Sequence, residues 1–95
     1  MYKLDTTKRF DKALKLWKKR GYPIEDLRKA IAILAEKGCL PKEYTPHFLD
    51  GNHEGEWEAH IHPDCLMVWE HNDEELTLLM LTTGTHSDVF SKTRR

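Results

Sequence analysis

From residue 43 to residue 90 the chain has no lysine and no arginine, against eleven aspartates and glutamates. Basic surface for a polyanion must therefore come from elsewhere in the molecule. Cysteine is scarce as well. Cys39 and Cys65 are too few and too far apart for a disulfide scaffold or a structural zinc site. Both sit in apolar company, so both are expected to be reduced core residues. Apolar runs such as Cys65–Trp69 are far too short to span a bilayer. The N-terminus lacks a basic segment followed by an apolar stretch and a cleavage site. A cytoplasmic protein with no membrane partner is expected. Repeats and low-complexity segments are absent, and 95 residues suggest one domain, 1–95.

The charge that is present is sorted along the chain. Residues 1–42 carry twelve Lys and Arg against five Asp and Glu, and the tail at 91–95 adds Lys92, Arg94 and Arg95. These blocks offset the acidic stretch and leave a net charge of −1. All six histidines (His47, His53, His60, His62, His71, His86) fall in the acidic stretch. A basic part can meet a polyanion while the other part carries titratable chemistry.

Periodicity predicts two helices followed by strands. Asp5, Thr6 and Thr7 can cap a helix starting near Thr6, and residues 1–4 fit a short edge strand. Phe10, Leu14 and Trp17 then share one face, with Lys8, Lys12, Lys15 and Lys19 largely away from it. Gly21 and Pro23 separate this helix from a second one with a stripe of Ile24, Leu27, Ile31 and Leu34, which Gly38 stops. A polar connection follows, and the period changes to two. Trp57, Ala59 and Ile61 alternate with Glu56, Glu58, His60 and His62. Pro63-Asp64 marks a turn, Cys65–Trp69 a buried strand, His71–Glu74 another turn, and Leu76–Thr83 a last strand. Ser87 is placed to cap a final helical turn. The expected fold is α+β, an antiparallel sheet of three to four strands in 43–90 with the basic helical hairpin of 1–42 on one face.

Alternation places His60 and His62 opposite the Trp57/Ala59/Ile61 face, on the open side of the sheet. His47 comes from the preceding segment, His86 from the loop after the last strand, and Asp64 from the turn. Histidine titrates near neutral pH, so such a convergence suits general acid–base catalysis. Three stretches then carry a resemblance. Ala59-His60-Ile61-His62-Pro63-Asp64 is similar to the A/C-H-x-x-P-D strand and turn of the YafQ-like toxins of the RelE superfamily. Thr83-Gly84-Thr85-His86-Ser87-Asp88-Val89-Phe90 is similar to their TGTHSDLF motif. His47-Phe48-Leu49, with Gly51, resembles their H-x-L-x-G stretch. The three occur in family order and spacing.

The resemblance implies a RelE-like fold and ribosome-dependent cleavage of messenger RNA, without metal or cofactor, silenced by a cognate antitoxin. By position, His47, His60, Asp64 and His86 correspond to the catalytic group and Phe90 to a substrate-contacting aromatic. One base takes the proton of a ribose 2′-hydroxyl, whose oxygen attacks phosphorus. An acid protonates the departing 5′-oxygen, leaving a 2′,3′-cyclic phosphate. His60 and His86 are expected to be the proton-transfer pair. Asp64 would orient a histidine, and His47 would assist at the phosphate. Lys8, Lys12, Lys15, Lys19 and Arg20 are candidate contacts to ribosomal RNA.

The chain also departs from the family. Thr82 stands where arginine is frequent, Trp57 replaces another arginine, and Cys65 replaces an aromatic. A local cation for the transition state must then be imidazolium, or the tail Lys92, Arg94 and Arg95 folding back. The competing reading is a catalytically weak or inactive RelE/ParE-like domain that acts by binding a ribosome, an antitoxin or another target. A metal site at His60-x-His62-x-Asp64 is the minor reading, because Pro63 breaks the alternation before Asp64. His62 is expected to be a solvent-facing strand residue, His53 and His71 to sit in polar loops without a role, and Trp17, Trp57 and Trp69 to lie in the core.

Overall fold

In a computed structural model of the protein, the described residues are 1–49, 55–85 and 89. The elements run β1 (Lys3–Thr6), α1 (Lys8–Arg20), α2 (Ile24–Lys37), a 3-10 turn (Lys42–Tyr44), β2 (His47–Phe48), β3 (Glu56–His62), β4 (Cys65–Asn72) and β5 (Thr77–Gly84). The helices begin and end where local chemistry directs. Thr7 is extended at the N-cap of α1, and its Oγ1 accepts from the Phe10 N–H at 3.1 Å. Gly21 and Gly38 close the two helices at φ of 76° and 75°, a backbone that a Cβ disfavours. Phe10, Trp17, Leu27, Ala30 and Leu34 turn inward, while the lysines of α1 stay exposed.

The sheet has five strands in the order β1-β5-β4-β3-β2, and it is mixed, since β1 runs parallel to β5. This corrects the expected three to four antiparallel strands. β1 starts the chain and returns to the sheet only through the helical hairpin, which brings it beside β5 in the same direction. A strand of two residues, β2, carries no alternation to read. The helices cover the face that presents Ala59, Ile61, Cys65, Met67, Trp69, Leu78 and Met80. The opposite face is not bare: Leu66, Val68 and Val89 form a second apolar cluster with Leu49 and Leu81 against them. Cys65 is buried as expected, but Cys39 is exposed, because the left-handed Gly38 turns the chain out of α2 just before it. Among the described residues no helix is long and apolar enough to cross a membrane.

Two irregularities re-aim side chains. The β4–β5 register slips between Val68 and Trp69, so that Leu81 stands between paired residues. The β3–β4 register slips between His60 and His62, where His60 opposes Leu66 and His62 opposes Cys65.

Candidate functional site

Directly opposed residues of neighbouring strands point to the same side of a sheet. His47 opposes Glu58, Glu58 opposes Val68, and His60 opposes Leu66, so all lie on the face away from the helices. There the rings of His47 and His60 stand 6.5 Å apart, centroid to centroid. His60 also lines a cleft of about 460 Å³ whose walls include Glu43 and Thr45. Two of the residues singled out from the sequence are thus brought together from different elements.

His62 lines the same cleft but does not share their face of the sheet. The register slip turns it to the helix side, where its Nε2 lies 2.8 Å from Asp26 Oδ2 of α2. The expectation that both strand histidines share the open face therefore holds for His60 and fails for His62. The set His60-x-His62-x-Asp64 is dispersed by the same slip. Asp64 is exposed in the β3–β4 turn, and His71 bonds to Asp73 at 2.7 Å on the helix side. His53, His86, Phe90 and the tail residues Lys92, Arg94 and Arg95 lie outside the described residues.

Glu58 is a residue that sequence reasoning passed over. It is 4% exposed, and its Oε1 lies 2.9 Å from His47 Nε2. Its Oε2 is buried with no hydrogen-bond partner among the described residues. The other ring nitrogen of His47, Nδ1, lies 3.1 Å from the Thr45 carbonyl oxygen. Both nitrogens of this ring thus face acceptors. A neutral imidazole has one N–H and would set a lone pair against an oxygen, whereas the doubly protonated ring serves both. With one oxygen of the buried Glu58 unsatisfied, its contact to His47 is costly to lose, since burial of an unpaired charge is unfavourable. The geometry therefore holds an imidazole between two oxygens beside His60. The sequence did hold a signal: Glu58 and His60 are two apart on a strand, in a stretch whose own basic residues are all histidines.

Of the basic residues, Lys12, Lys15 and Lys19 line a groove between α1 and β5 together with Arg9, Thr82 and Thr83. Arg9 Nη2 donates to the Val89 carbonyl at 3.0 Å. Lys8 is exposed at the start of α1, and Arg20 stands 6.0 Å from the Tyr22 ring. Thr82 is 5% exposed and opposes Val68, so this position adds no charge.

Residues 2–91 match the family model described as a bacterial toxin of type II toxin-antitoxin system, YafQ. The chain belongs to the YafQ family. The mRNA interferase toxin YafQ of Escherichia coli K12 is 30% identical over 82 residues, covering 85% of this chain and 87% of that protein. A metal-bound toxin from Helicobacter pylori is 36% identical with a TM-score of 0.85, over 95% of this chain and 100% of the other. YafQ in the E. coli DinJ–YafQ complex superimposes with a TM-score of 0.86 at 27% identity, over 95% of this chain and 99% of that one. The α+β fold with two helices on a sheet is that of YafQ, the RelE-like fold expected from the motifs.

Proposed function

We propose that this YafQ-family chain is an mRNA interferase, an endoribonuclease that cuts translated messages on the ribosome and is held silent by an antitoxin. It works in the cytoplasm. The observation that carries the reading is the juxtaposition of His47, Glu58 and His60 on the sheet face away from the helices. His60 takes the proton of the 2′-hydroxyl, and that oxygen forms the new bond to phosphorus. The bond to the 5′-oxygen breaks as His86 protonates it, and the 2′,3′-cyclic phosphate is left. The proton pair needs no cofactor or metal. Negative charge that grows on the phosphoryl oxygens must meet a positioned cation. His47, ion-paired with Glu58, supplies it where arginine is lacking at Thr82. Asp64 orients a histidine from the turn, and Phe90 stacks on the substrate.

The test is expression of the wild type and His86→Ala in cells, with 5′ ends mapped on translated messages. Growth arrest with cuts inside reading frames, lost in His86→Ala, is the expected result. Binding to ribosomes without any new 5′ ends would replace the nuclease with the binding-only reading. Because imidazolium is the cation, cleavage in vitro falls as pH rises from about 6 to 8.5, across the histidine range. A flat or rising rate would remove His47 from this role, and inhibition by EDTA would overturn the metal-free reaction.

A further inference from the structure

The two residues of β2 face opposite ways. His47 belongs to the face away from the helices, and Phe48 opposes Trp57 on the helix-covered face. Behind β2, on that covered side, lies a cavity of about 400 Å³ walled by Leu40, Phe48, Trp57, Trp69, His71 and Asp73 among others. Its volume is at the small end of ligand pockets and suits a single side chain. The rings form a corner. Trp57 is stacked near Trp69 with 18° between planes and 6.3 Å between centroids, and Phe48 meets it edge-on at 5.5 Å and 71°. Phe48 is 53% exposed, an apolar ring at the mouth.

Among the described residues that line the cavity, Asp73 is the acidic one, and it is paired with His71. Asp73 Oδ1 accepts from both the Tyr2 hydroxyl and His71 Nε2, which fixes the carboxylate, and the Asp73 side chain is 75% exposed. These two hydrogen bonds also hold its pKa below the ordinary 3.8. Glu74 and Glu75 continue the turn, and no lysine or arginine lines the cavity among the described residues. Aromatic faces attract cations within about 6 Å of the ring, and arginine stacks on them while forking to a carboxylate. An RNA segment would bring phosphates against these carboxylates.

We propose that this cavity receives the guanidinium of an arginine side chain from a protein partner, with the cation over the Trp57 and Phe48 rings and Asp73 as its counter-ion. The partner is the antitoxin, so this step rests on the function proposed above. The occupant is a peptide-borne arginine rather than the free amino acid, whose own carboxylate would oppose the acidic turn.

The probe is acetyl-Gly-Arg-Gly-amide, added to the full-length chain carrying His86→Ala so that it can be produced. Binding is read from the indole N–H signals of Trp57 and Trp69, with that of Trp17, in the core beneath α1, as internal control. Saturable shifts at Trp57 and Trp69 alone are expected. The citrulline tripeptide, neutral and isosteric, and free arginine are each expected to bind roughly tenfold more weakly. Asp73→Asn brings the arginine tripeptide down to the citrulline level, and the exposed Phe48→Ala weakens it, both with the Trp17 signal in place. Equal binding of citrulline, tighter binding of free arginine or of uridine monophosphate, or no saturable shift would each overturn the proposal. Asp73→Asn in an otherwise wild-type chain keeps growth arrest and message cleavage. Failure of the pocket is thus separable from failure of the nuclease.

Discussion

Glu58 is a carboxylate placed where little else could neutralise it, on a strand of a segment without lysine or arginine. Its partner His47 is itself 46% exposed, so the pair combines a buried anchor with an accessible ring. Glu58→Gln keeps the shape and removes the ion pair, and cleavage is expected to fall by about 10²-fold, the usual cost of one group that stabilises transition-state charge. Rates on a bound model substrate check this, with circular dichroism to confirm the fold. On the other side of the sheet, Tyr2, His71 and Asp73 make a pH-sensitive contact. The Asp73 pKa is lowered by the hydrogen bond from Tyr2 and then by that from His71, and the Tyr2 pKa is raised above 10.0, chiefly by the same bond to Asp73. A depressed acid stabilises the fold above its unfolded pKa and loses that contribution as pH falls through the folded value. A raised phenol stabilises it below 10.0 and loses that as pH rises. Tyr2→Phe is therefore expected to flatten the melting temperature against pH at both ends, below about pH 4 and above about pH 10. A profile that retains both slopes would assign them to other groups.

Thr7 ties helix to sheet. Its hydroxyl accepts from Phe10 N–H and donates to the Leu81 carbonyl at 2.8 Å, while its own N–H donates to the Met80 carbonyl at 3.1 Å. Thr7→Ala keeps the backbone bond and loses the other two. A cost of about 1–2 kcal/mol is expected in urea unfolding. Both helices, their caps and the last three strands were readable from spacing and turn residues, because each carries its own signal over many positions. What stayed hidden depends on single residues or on closure. One extra residue at Ile61 sends His62 to Asp26 while His60 keeps its side, and no alternation pattern reports such a slip. The partner of β1 is set by the path through the helical hairpin, not by the four residues Lys3–Thr6 themselves. The candidate site was half legible. His47 and His60 were named by motif, whereas the burial of Glu58 required a neighbouring strand.

The molecule separates its charges between layers. The lysines of α1 look outward from one side, and the acidic, histidine-bearing strands lie behind them. Lys12, Lys15 and Lys19 share a groove, so their effects on a polyanion should act together. Replacing all three with glutamine is expected to weaken ribosome binding and to reduce the slope of log affinity against log salt by about two to three. Cleavage of an already bound substrate should persist. Unchanged binding would make this helix a solvated surface only.

β1 and β5 are neighbours in the sheet, yet two helices and three other strands lie between them along the chain. Until Met80, the partner of Thr6, has left the exit tunnel, the opening strand has nothing to pair with, and Thr7 lacks the carbonyls that anchor α1. A nascent chain thus cannot complete its sheet before β5 has emerged, however early β1 is made.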